Sequence, residues 1–430
     1  MTAVDASTVS VDSATLSKLT RSWKVPITLG IFSLLGIFFF VILGRDGSVT
    51  FTFSASTANA AALPTITLGA RATGIVVSIV AVLMSVGSAV MVSRGRKTPL
   101  WYISLYSFLM LVAFLTWATS GNTLPITGLL AGSLALSVPL IFGALGGVVS
   151  ERVGVVDVAI EGQMLAGAFV SALVASITKS LFAGLAAAMV AGVLVSFVLA
   201  AFSIVYLVDQ VIVGVVLNVL VLGLTSFLYS TVMTSNSALL NSPAVFNPVS
   251  IPLLSAIPVI GPVLFQQSVI VYLMYIAVAA VFFGLFYTRW GLRLRSVGEH
   301  PQAADTVGIN VSSTRFWNVS LAGAIAGLGG AYFTIGSVGA FSKDVTSGEG
   351  FIALAAVIFG RWNPIRATLA ALLFGFATNL QFVLGQLKFP SPVPSDFLLM
   401  LPYLVTIIAV AGLVGQSRGP AASGKPYIKS

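Results

Sequence analysis

LFAGLAAAMVAGVLVSFVLAAFSIVYL, residues 181–207, carries no charged side chain. About 20 helical residues cross the roughly 30 Å hydrocarbon core of a bilayer, so this stretch reads as a transmembrane helix. Similar runs recur on both sides of it. They lie at Ile27–Leu43, Gly74–Val92, Leu100–Thr119, Leu124–Val149, Gly162–Ile177, Val211–Ser230, Ser268–Tyr287, Phe316–Ile335, Gly350–Phe359, Arg366–Leu384 and Asp396–Gly415. The whole chain is 57% hydrophobic and 8% charged, against about 25% charged in soluble domains. The fold class is therefore all-α: a polytopic transmembrane bundle of about twelve spans. Two segments, Gly162–Ile177 and Gly350–Phe359, are shorter than a full crossing requires.

Charge sets the orientation. With the N-terminus placed in the cytoplasm and the spans alternating, 16 of the 21 Lys and Arg residues fall on the cytoplasmic side. The positive-inside rule then predicts a multi-pass protein of the plasma (inner) membrane with both termini cytoplasmic. The net charge of +9 is accounted for by these span-end residues, so membrane lipid and not nucleic acid is the expected surrounding. Residues 1–26, rich in Ser, Thr and Val, read as a disordered cytoplasmic tail, and 416–430 as a second cytoplasmic tail. Ile27–Leu43 reads as an uncleaved anchor. The loop Thr231–Gln267 has no charged residue and five prolines, which predicts a structured cap on the outer side.

The side-chain inventory excludes several chemistries. There is no Cys and one His, His300. That rules out thiolate and histidine-based metal sites and leaves no catalytic residues to assign. No Gly-x-x-x-x-Gly-Lys-Ser/Thr motif is present, so the chain does not hydrolyse ATP itself.

Two stretches echo one another. Glu161-Gly162-Gln163 opens one short apolar segment and Glu349-Gly350-Phe351 opens the other. In the alternating topology they run in opposite senses, as an inverted repeat requires, and short Gly-interrupted segments in two halves point to a transporter's binding region. The loop between Tyr287 and Phe316 is different in kind. Pro301 suits the first position of a helix and Gly308 the residue past its end. A two-turn helix over Pro301–Val307 follows, with Ala303 and Ala304 presenting a bare surface. Too short to be stable alone, it reads either as a helix docked on another protein or as a plain connector.

The Ala-Ala-x-x-x-Gly core of that loop resembles the coupling loop of ATP-binding-cassette importer permeases. SERVGVVDVAIEGQM (150–164), Gly298 to Gly330, and GEGFIALAAVIFGRWNP (348–364) narrow the resemblance to the branched-chain amino acid and ribose class, most closely its nucleoside-uptake branch. It covers roughly 124–415, the permease core, preceded by a three-span extension over 27–123. Asp157 stands where the family usually has Asn. The resemblance implies an importer of nucleosides, or else of sugars or branched-chain amino acids. The implied partners are a cytoplasmic ATPase, a second and non-identical permease subunit, and an extracellular or lipid-anchored substrate-binding protein. ATP and Mg would be held by the ATPase and no cofactor by this chain. The coupling helix would comprise Glu299, Pro301, Ala303, Ala304, Asp305 and Gly308. An ion-coupled secondary transporter is the alternative that does without a docked cytoplasmic helix.

Candidate pathway residues are the polar or aromatic groups in apolar surroundings. Asp157, Glu161 and Gln163 flank the start of one short segment, and either meet substrate or stabilise a helix break, or else lie at the interface with the carboxylates in water. Asn218, Asn379 and Gln381 either bond a nucleoside or bond across helices. Phe351 either stacks on a base or simply packs. The glycines in AGAIAGLGGA (322–331) predict close helix packing.

Overall fold

The computed structural model describes residues 22–54, 63–386, 400 and 419–429. Among these, ten helices are long and apolar enough to cross a membrane. They coincide with ten of the twelve spans expected. Asp396–Gly415 lies outside the described residues apart from Met400, as do most of the N-terminal tail and residues 416–418. Gly350–Phe359 remains short, at 11 residues over Glu349–Phe359. The segment expected to be short at Gly162–Ile177 is instead a full helix of 19 residues, Ile160–Thr178. Its first turn is polar, which hides it from a search for apolar runs.

Two compact units are present. One comprises residues 22–53 and 63–126. Its helices are α1 (Lys24–Gly36), α2 (Ala70–Ser93) and α3 (Leu100–Ala118). They are joined internally by hydroxyls: Ser33 Oγ lies 2.7 Å from Ser85 Oγ and 2.9 Å from Tyr106 Oη. Buried hydroxyl pairs of this kind bind helices together where hydrocarbon offers no other partner. This unit also holds a small sheet that the all-helical expectation missed. Strand β1 (Ser48–Thr52) pairs antiparallel with β2 (Ile66–Gly69) and parallel with β3 (Thr123–Pro125). The alternation Ser-Val-Thr-Phe-Thr carried that signal, with Val49 and Phe51 on the buried face.

The other unit comprises residues 127–385 and 419–429. Its helices are α4 (Ile126–Arg152), α5 (Ile160–Thr178), α6 (Leu181–Ala200), α7 (Gln210–Leu228), α8 (Val269–Tyr287), α9 (Arg289–Glu299), α10 (Pro301–Thr306), α11 (Val311–Ala331), α12 (Glu349–Phe359) and α13 (Pro364–Gln386). The predicted two-turn helix is α10, with His300 as its N-cap and Gly308 beyond its end at φ +85°. The helix α9 was not expected. It is strongly amphipathic, burying Leu294 and Val297 while Leu292 and Arg293 stay exposed. The loop 231–267 is ordered, as expected of a cap. Its first ten residues extend α7 to Leu240, and a two-residue ladder pairs Val249–Ser250 with Gln266–Gln267.

The centre is the trio α5, α6 and α11. A Cβ at Gly330 would overlap the Met164 carbonyl of α5, and one at Gly192 would overlap the Gly323 carbonyl of α11. Backbones can approach this closely only where side chains are missing. Gly330→Ala is expected to destabilise by at least about 2 kcal/mol, because backbone must move to admit the methyl group. Gly30→Ala, where nothing lies within 4 Å, should be neutral or stabilising. Thermal unfolding of the purified variants in detergent, followed by size-exclusion recovery, checks both.

Candidate functional site

The two echoed Glu-Gly segments meet. The Glu161 carboxylate, on the first turn of α5, sits at the N-terminus of α12. Its Oε1 accepts from Thr346 Oγ1 at 2.5 Å and from the Gly348 amide at 2.9 Å. Its Oε2 accepts from the Gly350 amide at 2.6 Å. Helix N-termini expose unpaired N–H groups and a partial positive charge, so a carboxylate from a neighbouring helix is a natural cap. The approach leaves no room for a side chain at Gly350, whose Cβ would lie 2.5 Å from the Glu161 backbone. Glu349 begins the same turn, and its Oε2 is buried with no hydrogen-bond partner among the described residues.

This cap makes a broken span possible. Helix α12 rises about 16 Å, half of a hydrocarbon core. It is preceded by the irregular stretch 339–348. Non-helical backbone in a membrane protein's interior is tolerated only where other groups satisfy it. Asn241 does so at one end, donating to the Phe341 carbonyl at 2.9 Å and accepting from the Phe341 amide at 2.7 Å. Glu161 does so at the other. Phe341 itself is buried edge-on against Phe169 of α5.

The loop 153–159 that delivers Glu161 is knotted by the other predicted residues. Asn218 of α7 accepts from the Gly162 amide at 2.8 Å and donates to the Val158 carbonyl at 2.8 Å, capping α5. Gln163 Nε2 donates to both oxygens of Asp157, each at 3.0 Å, while Gln163 Oε1 is buried without a partner among the described residues. Asp157 is fully buried, and that burial pushes its carboxyl up to about 6 against the pull of the Gln163 donor. So Asp157, Glu161, Gln163 and Asn218 form one cluster. Asn379 lies apart from them: its Nδ2 donates to the Leu129 carbonyl at 2.7 Å and ties α13 to α4. Both asparagines make the cross-helix bonds weighed from the sequence. Phe351 is 48% exposed on α12 and Gln381 half-buried on α13, so these two keep accessible surface.

The far end of α12 closes a second cluster that the sequence reading did not single out. Trp362 Nε1 donates to Glu151 Oε2, and Arg152 Nε donates to the Trp362 carbonyl at 2.8 Å. Gly298, the last but one residue of α9, packs directly on the Arg152 carbonyl. The three longest motifs, 150–164, 298–330 and 348–364, thus converge. The only signal for this in one dimension was their length. Among the described residues no group of three or more His, Cys, Asp or Glu is placed to hold a metal.

Comparison with known proteins places most of the chain in one family. Residues 129–410 match the family described as branched-chain amino acid transport system, permease component. The guanosine ABC transporter permease protein NupQ of Bacillus subtilis is 42% identical over 308 residues, 69% of this chain and 95% of that protein. The nucleoside ABC transporter permease protein NupC of Lactococcus lactis is 43% identical over 317 residues, 72% of this chain and 98% of its own length. A putative glucose ABC transporter permease of Haloferax volcanii is 33% identical over 254 residues, 59% of this chain and 77% of that one. No solved structure matches.

Two outcomes follow from the geometry. Glu161→Ala leaves two amides and a hydroxyl without their acceptor and should cost about 3 kcal/mol, whereas Glu161→Gln, which retains an acceptor, should cost about 1 kcal/mol. Thermal stability of the two variants measures the difference. Asp157 holds its proton more tightly folded than unfolded, about 6 against 3.8. Its contribution to stability is therefore full below the unfolded value and is lost as pH rises through about 6. Asp157→Asn should flatten this part of the stability–pH curve. It should also raise stability at neutral pH by about 1 kcal/mol, since an amide can donate to the orphaned Gln163 oxygen.

Proposed function

This chain belongs to the branched-chain amino acid transport system permease family, and from that membership we propose that it is the translocation subunit of an importer of nucleosides driven by separate ATPase subunits. It is a multi-pass membrane permease. The observation that carries the substrate class is the 42% and 43% identity to guanosine and nucleoside permeases over nearly their whole length. Identity to the glucose permease is lower and spans less of both chains.

The proposed coupling element is α10. Gln302 and Ala303 on it are exposed, Ala304 is buried against the unit, and Val307 just past it is 75% exposed. A short helix with one face anchored and the other bare suits a cytoplasmic ATPase as partner. The orientation that puts it there has both termini inside, in keeping with the 16 to 5 division of basic residues. A second, non-identical permease subunit would complete the pathway, and a substrate-binding protein would deliver the solute from outside. ATP and Mg belong in this reading to the ATPase.

The working cycle is rigid-body rocking. Closure of the ATPase pair displaces α10. Because α9 is packed on Arg152, and Arg152 and Glu151 hold Trp362, the displacement reaches α12. At the other end of α12 Glu161 ties the motion to α5. Phe351 and Gln381 are the pathway candidates whose side chains are free to meet solute. Asp157, Glu161, Gln163, Asn218 and Asn379 shape the pathway through the helices they fasten.

The test uses the assembled importer in proteoliposomes. Nucleoside uptake should require ATP and the ATPase subunit. Ala303→Trp and Asp305→Arg on α10 should each lower uptake by at least about tenfold. Uptake that survives both changes, or that runs on an ion gradient without an ATPase, would overturn the proposal. Preference for a free sugar over a nucleoside would overturn the substrate class alone.

A further inference from the structure

The C-terminal segment 419–429, expected to be a plain tail, is folded onto the end of the bundle that carries α9 and α10. Two successive turns shape it: the Ser423 amide donates to the Pro420 carbonyl at 3.0 Å and the Lys425 amide to the Ala422 carbonyl at 3.2 Å. Gly424 takes φ +75° to make the reversal, a conformation that favours glycine. Pro420 and Ala422 are buried.

Its contacts reach each of the three converging motifs. Toward α9, the Ala422 amide donates to the Gly298 carbonyl at 2.9 Å and the Ala421 amide to Glu299 Oε2 at 3.2 Å. Toward α10, the Tyr427 hydroxyl lies beside the Asp305 carboxylate. Toward the loop after α4, the Ala422 carbonyl lies over Gly154, where a Cβ would meet it at 3.3 Å. Toward the turn after α12, Gly419 sits on the Trp362 ring, where a Cβ would press on the ring edge at 3.0 Å. Below the segment is Arg315 of α11, 2% exposed, whose Nη1 donates to the Lys425 carbonyl at 3.0 Å. Its Nε and Nη2 are buried without partners among the described residues. A buried guanidinium is costly unless paired. The Lys425 carbonyl is thus part of what lets Arg315 stay where the segment covers it.

We propose that residues 419–429 are a positioning clasp, which fastens α9 and α10 to the loop after α4 and to the end of α12, so that a push on α10 moves these elements as one body. This rests on α10 being the coupling element. The clasp adds a second tie beside the direct contact of Gly298 with Arg152. It is made of hydrogen bonds in which the segment's own backbone takes part, to Gly298, Glu299 and Arg315, with Tyr427 placed beside Asp305. Cutting it should therefore impair transmission rather than docking, because Gln302 and Ala303 remain exposed on α10 with or without it.

The experiment compares the intact chain, a chain ending at residue 418, and Tyr427→Phe, each assembled with its ATPase and reconstituted. Solute moved per ATP hydrolysed is the readout. For the shortened chain, the ATPase should still co-purify and ATP hydrolysis should stay within about twofold, while solute per ATP falls about tenfold. Tyr427→Phe, which removes one oxygen, should lower the ratio about threefold with hydrolysis unchanged. An unchanged ratio in the shortened chain overturns the clasp. So does loss of the ATPase from it, which would make the segment a docking surface. If the shortened chain does not fold, the ratio in Tyr427→Phe decides, and no change there overturns the proposal. Failure of the intact chain to couple uptake to ATP is a separate result, which overturns the importer reading itself.

Discussion

A backbone amide in hydrocarbon has no water to bond, and this single constraint organises the larger unit. Most of the chain meets it by being helical. The stretch 339–359 does not, since only its second half is helix. It is kept in place by two side chains from other elements, Asn241 at one end and Glu161 at the other. Glu161 can serve because α5 begins where it does, and α5 begins there because Asn218 holds its first turn. Remove the need to satisfy the α12 amides and the arrangement of α5, α7 and the loop 153–159 loses its reason.

The helix α12 then works as a strut between two polar clusters, one around Glu161 and one around Trp362. Of its 11 residues only Glu349, at the start, has a polar side chain. Around it the fit is close, because α5, α6 and α11 bring backbones into contact at glycine. Interiors packed this way deform little and shift as bodies. That is the mechanical property a translocation subunit needs if force at one end is to change access at the other.

Much of this was legible in one dimension, and the failures have physical causes. Apolar runs located ten spans because burial in lipid places the same demand on every residue of a span. The start of α5 was missed because Glu161 and Gln163 look unfit for a membrane when read alone; their partners, Thr346, the α12 amides and Asp157, make them fit. The sheet in the smaller unit was passed over although Ser48–Thr52 alternates, since five residues weigh little among long helices. The amphipathic α9 lay within a loop where only the helix over Pro301–Val307 was expected. The asparagines could be read two ways, as substrate contacts or as ties between helices. Only coordinates show that Asn218 and Asn379 have their amides engaged with backbone.

What the sequence determined by itself is the medium and the family. Hydrophobic length, scarcity of charge and the placing of basic residues are additive properties, visible without folding the chain, and three long motifs carry the resemblance. What only the tertiary structure decided is which polar groups meet. That Glu161 caps a helix almost two hundred residues further on, that Trp362 returns to Glu151, and that the last residues close over Arg315 are pairings across distance. No local pattern encodes them, because each residue's partner is set by the packing of helices between them.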